Sequence, residues 1–124
     1  MSKIISTEKA PAAIGPYSQA MVVGNMVFTS GQIPIVPASG VIEAEDIKGQ
    51  TEQVMKNLGE VLAAAGSSYE KAVKTTCFLA NIGDFAAFNE IYAKYFTGKP
   101  ARSCVAVKDL PKGALVEVEV IAEL

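Results

Sequence analysis

Residues 115–122, Leu-Val-Glu-Val-Glu-Val-Ile-Ala, alternate almost without fault between two faces. Val116, Val118, Val120 and Ala122 fall on one side, and Leu115, Glu117, Glu119 and Ile121 on the other. A period of two is the signature of a β-strand. Three valines in line require a core on one side of it. The chain must therefore build a sheet, and the remaining elements have to cover it.

Ser18 to Val23 and Met26 to Ser30 flank Gly24-Asn25, a dipeptide suited to a two-residue hairpin turn. Pro34 to Gly40 has two prolines and a glycine and is predicted as a loop. From Asp46 to Ala65, Ile47, Val54, Met55, Leu58, Val61, Leu62 and Ala65 recur at helical spacing, with Asp46 as N-cap and Gly66 as the left-handed residue that ends the helix. Ala72 to Ala80 is a strand with Val73, Cys77 and Leu79 on one side and Phe78 and Ala80 on the other. Asp84 caps a second helix to about Phe96, and Arg102 to Val107 is a short strand.

The order β-β-α-β-α-β-β predicts an α+β fold, with two helices packed on one face of a mixed sheet. Strand 72–80 is apolar on both sides, so the uncovered face is expected to pack against other subunits. A partly exposed sheet face, which antiparallel sheets tolerate, is the plainer alternative. With 124 residues and no repeat or linker, a single domain over 1–124 is expected.

Absence of histidine removes the usual general base and the commonest ligand of a catalytic zinc. Ser-His-Asp and Cys-His mechanisms are excluded with it. A net charge of −2 offers no field for nucleic acid or an anionic membrane. Cys77 and Cys104 form no C-x-x-C pair and read as reduced thiols. No apolar run reaches membrane-spanning length and no leader is recognisable, so the expected location is the cytoplasm.

Few residues stand out as chemistry. Arg102 begins a strand after Lys99-Pro100-Ala101 and offers a planar fork for a carboxylate, although a lone arginine more often makes a surface salt bridge. Alternation puts Cys104 on the same face, where a small buried hydrophobe is the commoner role. Glu117 points away from the helices if the valines point toward them; it is either solvated, like Glu119, or used as a base with a raised pKa. Ser30 and Gly31 end the hairpin, where a hydroxyl and an amide could donate to an oxyanion, or merely punctuate the strand. Tyr17 walls a pocket or anchors a turn, and Asn89 by itself signals nothing.

Taken together, separated segments resemble one family. They are Ala13-Ile14-Gly15-Pro16-Tyr17-Ser18-Gln19-Ala20, Val27-Phe28-Thr29-Ser30-Gly31-Gln32-Ile33-Pro34, Val73-Lys74-Thr75-Thr76, Pro100-Ala101-Arg102-Ser103-Cys104, Leu110-Pro111 and Val116-Glu117-Val118-Glu119. Over essentially its whole length the chain resembles the RidA/YjgF reactive-intermediate deaminases. That resemblance implies a chorismate-mutase-like fold of the bacillus type and a homotrimer with clefts between subunits. It implies no cofactor and no metal. It also implies hydrolysis of 2-imino and enamine acids, such as 2-iminobutanoate and 2-iminopropanoate, to 2-keto acids and ammonia.

By position, the resemblance makes Arg102 the clamp on the substrate carboxylate and Glu117 the residue that activates water. The main chain at Cys104 would contact the imine nitrogen, with its thiol lining the pocket, and Tyr17, Ser30, Gly31 and Asn89 would complete the cleft, some of them from the neighbouring subunit. Lys99 departs from the aromatic or apolar residue of many relatives. The competing reading is a non-catalytic trimer that binds short 2-keto or carboxylic acids. RNA cleavage, also ascribed to relatives, is disfavoured by charge and by the missing histidine.

Overall fold

A computed structural model describes residues 1–124. Six strands form the main sheet: β1 (Ser2–Ile5), β2 (Ala20–Val23), β3 (Met26–Thr29), β6 (Ala72–Leu79), β7 (Ala101–Ala106) and β8 (Val116–Glu123). A two-stranded ribbon, β4 (Ile35–Val36) with β5 (Val41–Ile42), stands apart. The helices are α1 (Ile47–Ala65) and α2 (Phe85–Tyr95).

The sheet order is β1-β2-β3-β8-β6-β7. Only β6 and β7 run parallel, joined through α2 as a parallel pair requires. The hairpin turns at Gly24, whose φ of +61° meets the need for a left-handed first residue. Asp46 accepts a hydrogen bond from the Gly49 N–H and Gly66 takes φ +87°, so α1 starts and stops at its predicted caps.

Both helices lie on one face. Val54, Met55, Leu58, Val61 and Leu62 of α1 and Phe88, Ile91 and Tyr92 of α2 close over Val27, Cys77, Leu79, Val116, Val118, Val120 and Ala122. The opposite face carries Phe28 and Val105, both more than 40 % exposed, together with Phe78 and Ile121.

Four expectations need correction. The expected order begins with the hairpin, whereas Ser2–Ile5 comes before it as a strand that pairs with β2 and makes one edge of the sheet. The segment predicted as a loop holds β4, which turns at Pro37–Gly40 and pairs with β5. Val73 does not share the core with Cys77 and Leu79, because the register slips between Ala72 and Lys74 and leaves it exposed. Asp84 precedes α2 but its side chain makes no cap bond; a 3-10 turn comes first, capped by Asn81 through the Gly83 N–H. No helix is long and apolar enough to cross a membrane.

Candidate functional site

Register decides which side chains can meet. Glu117 is paired with Phe78, and Phe78 with Val105, so all three project from the face without helices. Arg102 is paired with Thr75 and Cys104 with Cys77, on the helix-covered face. Within one chain Arg102 and Glu117 therefore lie on opposite sides of the sheet. The expected site residues divide into two groups.

The first group surrounds a cavity of about 490 Å³ lined by Tyr17, Ser30, Gly31, Lys112 and Glu117 among others. Its floor is the carboxylate of Glu117, half-buried against Gly31. Burial pushes the Glu117 carboxyl above the ordinary carboxylate range, and the negative charge of Glu119 adds to the effect. Ser30 differs from expectation. Its hydroxyl donates to the Ser18 carbonyl at 2.5 Å and its N–H to the Gln19 carbonyl at 2.8 Å, so neither donor is free for an oxyanion. The Gly31 N–H has no partner in the chain and remains available.

The wall opposite β3 is the segment before β2. Gln19, 3 % exposed, fastens it by donating to the carbonyls of Thr7 and Pro11 and accepting from the Thr7 N–H. Pro11, Ala12 and Ile14 are thereby set along the cavity, with Tyr17 half-exposed at its mouth. Asn57 does the same below, donating to the carbonyls of Ile33 and Ile35 at 3.1 and 2.9 Å.

The second group lies at the outer strand of the sheet. The Arg102 Nη1 donates to Asn89 Oδ1 at 2.7 Å. Its guanidinium carbon sits 4.8 Å from the centre of the Tyr92 ring and 5.4 Å from that of Phe85. The Tyr92 hydroxyl is tied to Thr75 Oγ1 at 2.8 Å, which locks the platform under the guanidinium. Arg102, Asn89, Tyr92, Lys99 and Pro100 line a shallower cavity of about 470 Å³.

Cys104 shares the Arg102 face as expected, but its thiol does not line the pocket: it is turned to the buried side beside Cys77 and lines neither cavity. Burial raises its thiol pKa, partly offset by Arg102. Cys77, fully buried, is pushed up to about 12, chiefly by burial. Both sulfurs are protonated near neutral pH.

Sequence reasoning missed Phe85, Tyr92 and Lys112 as site residues. Tyr92 stands one helical turn after Asn89, a spacing that places both on one face of α2. The same residue also falls in an apolar stripe with Phe85, Phe88 and Phe96, which reads as core.

The family model described as Endoribonuclease L-PSP matches residues 7–124. A Lactococcus lactis protein whose name makes it a candidate regulator, AldR, is 54% identical over 98% of this chain and 98% of its own length. The 2-iminobutanoate/2-iminopropanoate deaminase of Rattus norvegicus is 50% identical over 97% of this chain and 88% of its own. E. coli TdcF, solved with bound serine, is 44% identical and superposes with a TM-score of 0.93 over 98% of each chain. This chain, a sheet with two helices packed on one face, belongs to the L-PSP family, also called YjgF/RidA.

Proposed function

We propose that the chain is a 2-imino acid deaminase, hydrolysing 2-iminobutanoate and 2-iminopropanoate to 2-keto acids and ammonia in the cytoplasm. We read it as one chorismate-mutase-like domain that works as a homotrimer. The observation that carries this reading is the placement of a half-buried carboxylate with a raised pKa and a stacked arginine on opposite faces of one sheet. Neither is useful alone. A second copy docked on the open face supplies the missing half, and the exposed Phe28 and Val105 are the surface it would cover.

In the assembled cleft Arg102 holds the substrate carboxylate, its fork steadied by Asn89 and Tyr92. That fixes C2 of the imine beside a water held by Glu117. With the imine protonated, the water oxygen adds to C2 as the Glu117 carboxylate takes one water proton; Glu117 gives it to the carbinolamine nitrogen, the C–N bond breaks as C2 becomes the ketone, and the remaining hydroxyl proton passes through Glu117 to the leaving ammonia. The Gly31 N–H and the main chain at Cys104 orient the reacting groups, and Tyr17 and Ser30 bound the cleft. The imine carbon is already electrophilic, so positioning supplies most of the acceleration. No cofactor or metal enters the sequence of steps.

The name of the rat relative supports this reading; that of the Lactococcus relative favours the second, a trimer that binds short carboxylic acids without turnover. One experiment separates them. 2-Iminobutanoate is generated in situ by a threonine dehydratase, and its conversion to 2-ketobutanoate is followed with wild type and with Arg102→Ala. Acceleration by wild type alone supports the enzyme. Binding of 2-ketobutanoate without any acceleration supports the sensor. A single-stranded RNA left uncut in the same buffer excludes the nuclease named in the family description.

A further inference from the structure

The cavity around Arg102 holds a second cation that one substrate carboxylate does not require. Lys99 lines it, three residues before Arg102, and no acidic residue lines it with them. The one ion pair of the chain joins Lys48 to Glu90, so neither Lys99 nor Arg102 is neutralised from within. Asn89, the polar partner of Arg102, is uncharged. The cavity therefore keeps two positive charges for an incoming ligand.

The backbone at Lys99 is unusual as well. Its φ is +52°, one of two non-glycine residues in the left-handed region. A residue before proline ordinarily prefers extended backbone, and Lys99 precedes Pro100. Glycine, which meets no steric resistance there, occupies the neighbouring position 98 instead. A strained, charged residue on a cavity wall is where selection for function is expected. Three residues of chain hold the two Cα atoms within about 11 Å of each other. The Arg102 fork is held in place by Asn89 and Tyr92, and the long flexible Lys99 stem can swing to an anion a few carbon atoms away.

We propose that Lys99 selects 2-imino acids whose side chain ends in a second carboxylate. This rests on the deaminase reading above and names the substrate class of the same site. Arg102 takes the carboxylate next to the imine, and Lys99 takes the one at the end of the side chain. The bond changes are those of the parent reaction, with water adding at C2 and ammonia leaving.

The test compares kcat/KM for 2-iminoglutarate, made in situ by an L-glutamate oxidase with catalase present, with that for 2-iminobutanoate. The expected result is that Lys99→Met lowers the ratio of the two by about twofold to fivefold, the worth of one solvated ion pair, and that Lys99→Arg restores it. The loss should shrink in high salt. A ratio unmoved by Lys99→Met, or lowered only by Lys112→Met in the other cavity, overturns the proposal. Wild type that turns over 2-iminobutanoate but not 2-iminoglutarate also overturns it and leaves the deaminase reading standing. Wild type that accelerates neither overturns both.

Discussion

Gly31 packs its Cα directly against the carboxylate of Glu117, so close that a Cβ added to the glycine would stand 2.0 Å from Oε2 and 2.8 Å from the carboxyl carbon. The backbone at position 31 is not in the left-handed region, so the glycine is required by the approach and not by its torsion angles. The obstructing atoms are the far end of a flexible side chain, which can swing away while the fold survives. Gly31→Ala should therefore leave the circular dichroism spectrum and the melting temperature nearly as they are. It should lower kcat/KM for 2-iminobutanoate by about a hundredfold, the cost of misplacing a catalytic group by about 1 Å. Wild-type turnover in a folded Gly31→Ala would remove Glu117 from the mechanism.

Arg102 depends on shape as well as charge. Lysine keeps the charge but loses both the fork and the stacking on Tyr92 and Phe85. Arg102→Lys should raise KM at least about tenfold, the loss of one charge-assisted hydrogen bond. Asn89→Ala should raise it less, because the platform beneath the guanidinium stays. Steady-state kinetics of the two variants gives the order; an equal effect would place the orientation in Asn89 and not in the rings.

Glu117 should impose a pH dependence of known sign. As a base it must be ionised, so kcat/KM rises with pH through a midpoint above the ordinary value of 4.5. Glu119→Gln removes the repelling charge and should move that midpoint to lower pH. Stability runs the other way. The folded pKa is raised, so the folded chain is favoured below the unfolded pKa, and that advantage is lost as pH rises through the folded pKa. Glu117→Gln should accordingly melt higher than wild type at pH 7 and lose its lead near pH 4. A difference in melting temperature that does not change with pH would show that Glu117 is not desolvated.

Cys104 is expected to act through its backbone. With the thiol pKa raised by burial, no thiolate is available near neutral pH. Cys104→Ala should keep turnover within about tenfold of wild type, and iodoacetamide at pH 7.5 should inactivate slowly. Complete loss of turnover in a folded Cys104→Ala would make the sulfur a participant.

Asn57 is 1 % exposed and satisfies two loop carbonyls beneath the Glu117 cavity. Asn57→Leu takes one hydrogen bond from each, and the Ile33 carbonyl keeps the Ile35 N–H. Urea unfolding should show a loss of about 1–4 kcal/mol, with activity impaired even where the variant remains folded. A loss below about 1 kcal/mol would mean that water replaces the amide.

How legible these features are in the sequence follows from how local their causes are. Residues 116–122 and α1 can be read directly, because period, cap and stop signal all lie within the segment itself. β1 cannot, since three of its four residues are exposed and only pairing with β2, some twenty residues away, makes it a strand. Val73 was misplaced because a register slip leaves no trace in an alternating pattern. The opposed faces of Arg102 and Glu117 emerge only when β6 is found to pair with both β7 and β8. Ser30 looked like a free donor because the Ser18 carbonyl that occupies it belongs to the neighbouring strand's approach. Tyr92 was legible as core, and nothing in a single sequence says that one ring can be both core and platform.

Because Arg102 and Glu117 leave the sheet in opposite directions, their defects are complementary. In the proposed trimer, Arg102→Ala and Glu117→Gln would each be inactive when pure and would share no damaged half. Unfolded together in equal amounts and refolded, they would form hybrid rings in which about a quarter of the interfaces receive an intact arginine from one copy and an intact glutamate from the next. Two dead preparations would thus yield a live one. A chain carrying both substitutions would rescue neither itself nor an equal mixture with its own kind.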